Sequence, residues 1–184
     1  MPRTKGTGVA WLRESIEQKG PAAEQEMAKA LSPEDYKNYR TAMPITWLSE
    51  ESATNIYRAA GNLIFAGSPS PLIEVGRGMA KDNLTGIYSI LVQFTSIPFL
   101  MKQASRLWKT YHDTGQASVD TSQGERTAVF TVAGFPELPG DMRQVLKGYI
   151  LGLADLVKVR RVEVDLDETD PQGWRWKVTW EPRQ

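Results

Sequence analysis

The chain has 184 residues, with 22 Lys plus Arg against 22 Asp plus Glu, one His and no Cys. The missing Cys excludes disulfides, thiolate metal sites, Cys nucleophiles and S-acylation. The zero net charge argues against a polyanion-binding surface, so nucleic acid is not an expected partner. A chain of this length buries roughly 70% of its unfolded surface as one domain, or as one domain with a helical extension, and needs no staples. The N-terminus carries no apolar run of the signal-peptide kind, and the expectation is a cytoplasmic protein.

Helical periodicity dominates the first two-thirds. Val9, Leu12 and Ile16 share one face, and Gly20-Pro21 stops that helix. Ala23, Met27, Ala30 and Leu31 mark a second short helix. Ser32-Pro33-Glu34-Asp35 supplies a hydroxyl N-cap, Pro at the first position and acids in the first turn, opening a helix to about Ala42. Ser49 caps a longer helix bearing Ala53, Ile56, Tyr57, Ala60, Leu63 and Ile64, ended by Gly67. Ser70-Pro71 repeats the capping pair ahead of Leu72, Val75 and Met79. Ile87, Ile90, Leu91 and Phe94 mark another helix, and Ser96 precedes one with Leu100, Ala104, Leu107, Trp108 and Tyr111 on one face, closed by Gly115.

The stretch from Asn83 to Met101 holds no charged residue and approaches the length of a membrane span. It also contains Asn83, Thr85, Gln93, Thr95, Ser96, Pro98 and Gly86, which make it too polar to insert. A buried helix and its connection is the expected state, with no membrane span.

After Gly115 the period changes to alternation. Gln116 to Asp120 is a weak strand, and Arg126 to Ala133 a strong one with Ala128, Phe130 and Val132 on one face. Asp141 caps a helix bearing Met142, Val145, Leu146, Tyr149, Ile150 and Leu153. Gly148 and Gly152 share a face of it, expected against a sheet. Arg161 to Asp167 turns Val162, Val164 and Leu166 inward. From Trp174 to Glu181 every even position is large and apolar and every odd one polar, so three of the six Trp share one face with Val178. That pattern requires an antiparallel sheet wet on one side. With even facing even, the expected register sets Val164 opposite Trp176, Leu166 opposite Trp174 and Val162 opposite Val178, which brings Asp165 to Arg175 and Glu163 to Lys177.

The fold class is α+β: a helical N-terminal two-thirds packed on a C-terminal twisted antiparallel sheet of about four strands with one intervening helix. The domain reading is an N-terminal helical extension over 1–48 and an α+β ligand-binding-like domain over 49–184.

Few residues offer chemistry. His112-Asp113 looks like a catalytic or metal pair, but helical neighbours point about 100° apart, so Asp113 is poorly placed to orient His112. One His without Cys makes a poor zinc or copper site. Gly6-Thr7-Gly8 and Gly76-Arg77-Gly78 complete no dinucleotide or phosphate fingerprint. The acidic run Asp165 to Asp170 lacks the spaced ligands and central Gly of a calcium loop, and reads as a solvated hairpin loop. The Trp stripe packs the sheet onto helices or lines an apolar cavity. No catalytic residue, metal ligand or cofactor is expected.

The segment from Ile97 onward carries a resemblance. Pro98 and an apolar helix lead to Leu107-Trp108-Lys109-Thr110-Tyr111-His112-Asp113-Thr114-Gly115. A strand ending in Phe135-Pro136 follows, then the helix with Gly148, Gly152 and Asp155, then the hairpin closing in Trp174-Arg175-Trp176. This resembles a paralogous family abundant in myxobacteria. It is similar to the wider superfamily of haem-nitric-oxide-binding domains, vinyl-4-reductase-type domains and trafficking-complex (TRAPP) subunits. The resemblance covers roughly residues 50 to 181. It implies a non-enzymatic sensory, regulatory or assembly role. The proximal His and Tyr-x-Ser-x-Arg motif of the haem branch have no counterpart here. The acylated Cys of trafficking subunits and the zinc-binding Cys cluster of some vinyl-4-reductase-type domains are absent.

The expectation is a domain that binds an apolar small molecule or a protein partner. Ile87, Leu91, Phe94, Trp108, Tyr111, Phe130, Tyr149 and Trp176 are its candidate pocket. The alternative is a structural homodimerisation module with a solid core and no ligand. A homodimer is expected in either case, symmetric pairs being the commonest oligomers.

Overall fold

The computed structural model describes residues 1–83, 96–157 and 159–182. The element order is β1 (Arg3–Lys5), α1 (Thr7–Glu17), α2 (Pro21–Ala30), α3 (Pro33–Thr41), β2 (Trp47–Ser49), α4 (Glu50–Ile64), α5 (Pro71–Asn83), α6 (Ile97–Tyr111), β3 (Gln116–Asp120), β4 (Thr127–Ala133), α7 (Gly140–Asp155), β5 (Val159–Asp167) and β6 (Gly173–Pro182). The helical half and the antiparallel sheet follow the α+β expectation. Among the described residues no helix is long and apolar enough to cross a membrane.

The Ser caps form as their chemistry requires. The Ser32, Ser49 and Ser96 hydroxyls accept from the backbone N–H groups of Asp35, Ser52 and Phe99. Two ends differ from expectation. Pro139, not Asp141, is the N-cap of α7; Asp141 sits in the first turn, where its charge suits the helix dipole and pairs with Arg58. Helix α6 ends on an extended His112 rather than at Gly115. Strand β1 takes over the chain there: Thr4 bridges His112, and Asp113 N–H donates to the Arg3 carbonyl. The sheet of β1 and β2 has no period long enough to read in the sequence, since each strand has three residues.

The large sheet runs β3-β4-β6-β5, all antiparallel. Its inner face is built in rows across the strands. Val119, Phe130, Trp176 and Leu166 make one row, and Ala128, Val178 and Val164 another. The even-numbered face of β6 is the inner one, with Trp176 fully buried and Arg175 and Lys177 exposed.

The β5–β6 register is two residues away from the expected one. Val164 faces Val178 and Leu166 faces Trp176, while Asp165 faces Lys177 and Asp167 faces Arg175. Both registers keep even against even and acid against base, so neither burial nor charge separates them. The loop decides. Asp167 Oδ1 accepts from the N–H and hydroxyl of Thr169, Asp170 Oδ1 from Gln172 N–H and the Asp170 carbonyl from Gly173 N–H. These local bonds fold the acidic run onto itself and delay pairing to Asp167. At the far end a bulge between Arg160 and Glu163, with Arg161 at φ 45°, removes Val162 from the ladder.

Gly148 and Gly152 lie against a helix, not the sheet. A Cβ at Gly148 would collide with the Ile73 carbonyl, and one at Gly76 with the Val145 carbonyl. Small residues on both partners thus let α5 and α7 cross backbone to backbone. Asp155 at the end of α7 receives Arg77 and Lys81 from α5, at 2.6 and 2.9 Å. One apolar cluster joins Leu12, Ile16, Met27 and Tyr39 to Ile56, Phe130 and Trp176.

Candidate functional site

A cavity of about 140 Å³ lies where α6 and α7 meet β4, closed from the other side by β1, the start of α1 and α4. Trp108 and Tyr111 come from α6, Phe130 from β4, Tyr149 from α7 and Tyr57 from α4. Met79, Met101 and Met142 fill between them. The lining is mostly apolar. An apolar cavity of about this size in another protein stays dry and takes up benzene or xenon.

Local sequence explains each wall. Helix α6 turns Met101 and Trp108 inward and leaves Leu107 and Tyr111 partly exposed at the edge. The Trp108 indole N–H donates to the Thr114 carbonyl at 2.9 Å, which fixes the ring. Gly8 is required by Tyr57, since a Cβ there would overlap the phenol oxygen. Burial, and after it the charge of Glu50, pushes the Tyr57 hydroxyl well above its ordinary pKa, so it stays protonated.

His112 closes one end. Its ring stacks on Trp108 with centroids 4.0 Å apart and planes 14° apart. It also borders an outer depression with Lys109, Asp113, Gly115 and Gln116, so it stands between cavity and surface. Its neighbour Asp113 does not orient it. Asp113 binds the Arg3 guanidinium at 2.7 Å and the Arg3 backbone N–H, which holds its carboxyl down at about 2. The group facing His112 is Glu50, with Oε1 3.6 Å from Nδ1.

Of the candidate pocket residues, Trp108, Tyr111, Phe130 and Tyr149 come together on this cavity. Trp176 does not reach it. It lies in the solid core beneath, edge-on to Phe130 at 5.9 Å and 67°. Ile87, Leu91 and Phe94 lie outside the described residues. Sequence reading missed Glu50, Tyr57 and the β1 residues Thr4 and Lys5. In the sequence Glu50 is one more acid in a first turn. Its burial behind a Ser N-cap carries no local signal, because what buries it is the distant end of α6.

No protein-family model and no curated protein sequence matches this chain. Solved structures do. An Fe(II) unliganded H-NOX protein from K. algicida superposes with TM-score 0.69 at 8% identity, covering 97% of each chain. An oxygen-binding H-NOX domain related to soluble guanylate cyclases gives 0.65 at 12%, over 97% of this chain and 96% of that one. A mutant of T. tengcongensis H-NOX gives 0.65 at 14%, over 97% and 98%. The chain has the H-NOX fold.

Two further solved structures with this fold concern haem, and the residues present here do not fit that group. Ligand pockets for larger molecules occupy roughly 300–1,000 Å³, against about 140 Å³ here. Haem iron needs an axial ligand. The single imidazole is laid flat on Trp108, with its Nδ1 turned to a buried carboxylate. Among the described residues no cluster of three His, Cys, Asp or Glu side chains is placed to hold a metal ion.

Proposed function

We propose that this chain is a non-enzymatic sensory or regulatory domain that binds a small apolar molecule in the cavity between α6, α7 and β4. The observation that carries it is the cavity itself: lined by aromatic and Met side chains, benzene-sized, and set in a fold whose solved members include an oxygen-binding domain. The chain shares that fold, and Trp108, Phe130, Tyr149 and Met side chains line its cavity. No step of chemistry is assigned, because the described wall offers no nucleophile paired with a base. The kinship with vinyl-4-reductase-type and trafficking-complex domains and with the myxobacterial paralogues, the split into 1–48 and 49–184, and the cytoplasmic location belong to the same proposal.

Native mass spectrometry of freshly purified protein tests the reading, followed by titration with toluene. A retained small adduct, or saturable toluene binding, supports it. Failure of both overturns it. Added haem is expected to give no stoichiometric Soret band; a stable band abolished by His112→Ala would contradict the assignment.

A second reading is a homodimerisation or protein-docking module. Phe99, Leu107 and Tyr111 favour it, because they leave large apolar side chains exposed along α6. Native mass spectrometry at micromolar concentration separates the two: a dimer without ligand supports the second, retained ligand the first.

A further inference from the structure

Glu50 and His112 are both buried, at 3% and 9% exposure. Among the described residues, neither Glu50 side-chain oxygen has a hydrogen-bond partner, and neither does His112 Nδ1. Leaving such groups unsatisfied destabilises a fold, most when they are charged. Their 3.6 Å separation exceeds hydrogen-bond length. It is still close enough for the carboxylate to favour a proton on the nitrogen facing it. Nε2 lies at the other edge of the ring and is then an acceptor.

Three other polar groups of the wall are already used as donors. The Thr4 hydroxyl donates to the Tyr111 carbonyl, Lys5 Nζ to Ile45 and the Thr7 hydroxyl to Pro44. His112 is a wall residue whose Nδ1 no described neighbour satisfies. Tyr57 brings a protonated hydroxyl to the same cavity.

Resting on the small-molecule reading above, we propose that the ligand is a benzene-sized apolar molecule carrying one hydroxyl, which donates to His112 Nε2, and that Glu50 is the positioning residue fixing the tautomer. A hydroxyl suits the wall better than an N–H, because it also accepts, and Tyr57 is there to donate.

The test compares benzyl alcohol with toluene on the full chain by calorimetry. The expected preference for benzyl alcohol is about tenfold, the worth of one hydrogen bond to a buried acceptor. His112→Phe keeps the stacking on Trp108 and should abolish the preference, the two probes then binding equally. Glu50→Gln should narrow the preference without weakening toluene, which a merely structural role would not do. If either variant fails to fold, the ¹⁵N shifts of His112 in the unaltered protein decide. Nδ1–H with a bare Nε2, perturbed by benzyl alcohol and not by toluene, supports the proposal. Equal affinity for the two probes, a preference surviving His112→Phe, or an Nε2–H ring overturns it while toluene binding leaves the cavity reading intact. Binding of neither probe overturns both.

Discussion

Phe130 divides two kinds of interior. On its sheet side Trp176 is fully buried, and its indole N–H donates to the Arg143 carbonyl at 3.1 Å. The Trp174 N–H donates to the Phe135 carbonyl at 2.8 Å, with the Arg143 guanidinium 3.9 Å above the ring. Arg143 Nε lacks a well-aligned hydrogen bond there, yet stands 3.0 Å from the Glu168 carboxylate. On the helix side the same ring borders a cavity, and among the described residues three polar atoms of Glu50 and His112 have no hydrogen-bond partner. One side is packed, with both indole N–H groups hydrogen-bonded. The other gives up packing and hydrogen bonding within a few side chains of it. A fold selected only for stability would have filled the second region with larger apolar residues. That contrast is why function is placed at the cavity and not at the Trp stripe.

The largest effect should come from breaking the packed side. Trp176→Ala is expected to destabilise the protein by about 3–5 kcal/mol, the range for removing a fully buried large aromatic. Urea unfolding measures it, and a loss under about 1 kcal/mol would erase the difference between the two regions. Gly148→Ala should follow, at about 1–3 kcal/mol, because the added methyl forces α7 off Ile73. If it were neutral, the backbone crossing of α5 and α7 would not be as tight as described.

A smaller effect is expected at the β1 clamp. Arg3 lowers Asp113 from 3.8 to about 2. A carboxyl depressed by folding contributes stability fully present above about 3.8 and lost as the pH falls toward about 2. Asp113→Asn should therefore lower the urea midpoint at about pH 6 and differ little from the unaltered protein near about pH 2. A gap that widens in acid would reverse the sign. Smallest of all, Lys177→Ala on the wet face should change stability by under about 1 kcal/mol. A change matching that of Trp176→Ala would mean the faces of β6 are exchanged.

Much of the fold is legible in the sequence where one period or one cap carries the information. Ser32, Ser49 and Ser96 announce their helices, and the alternation from Trp174 to Trp180 announces the buried face. The register is not legible, because Asp165 and Asp167 offer the same sign to Arg175 and Lys177 in both alignments, and the choice rests on turn bonds at Asp167 and Asp170. The glycine pair on α7 signals a close backbone approach but not its partner, since a glycine face does not name what meets it; the sheet expected there is helix α5 instead. Four cavity residues are legible as large aromatic groups on periodic apolar faces, though Tyr111 lies partly exposed at the edge. Glu50 is not, because its burial comes from the end of α6, far along the chain.

Amide and indole NMR spectra during toluene titration test the cavity most directly. Saturable shifts are expected at the Trp108 indole and at Tyr149 and Tyr57. The indoles of Trp174 and Trp176 should stay in place, and Ala104→Leu, which fills the cavity, should abolish the response. Shifts spread evenly over the Trp residues, shifts centred on Trp176, or binding undiminished in Ala104→Leu would contradict it.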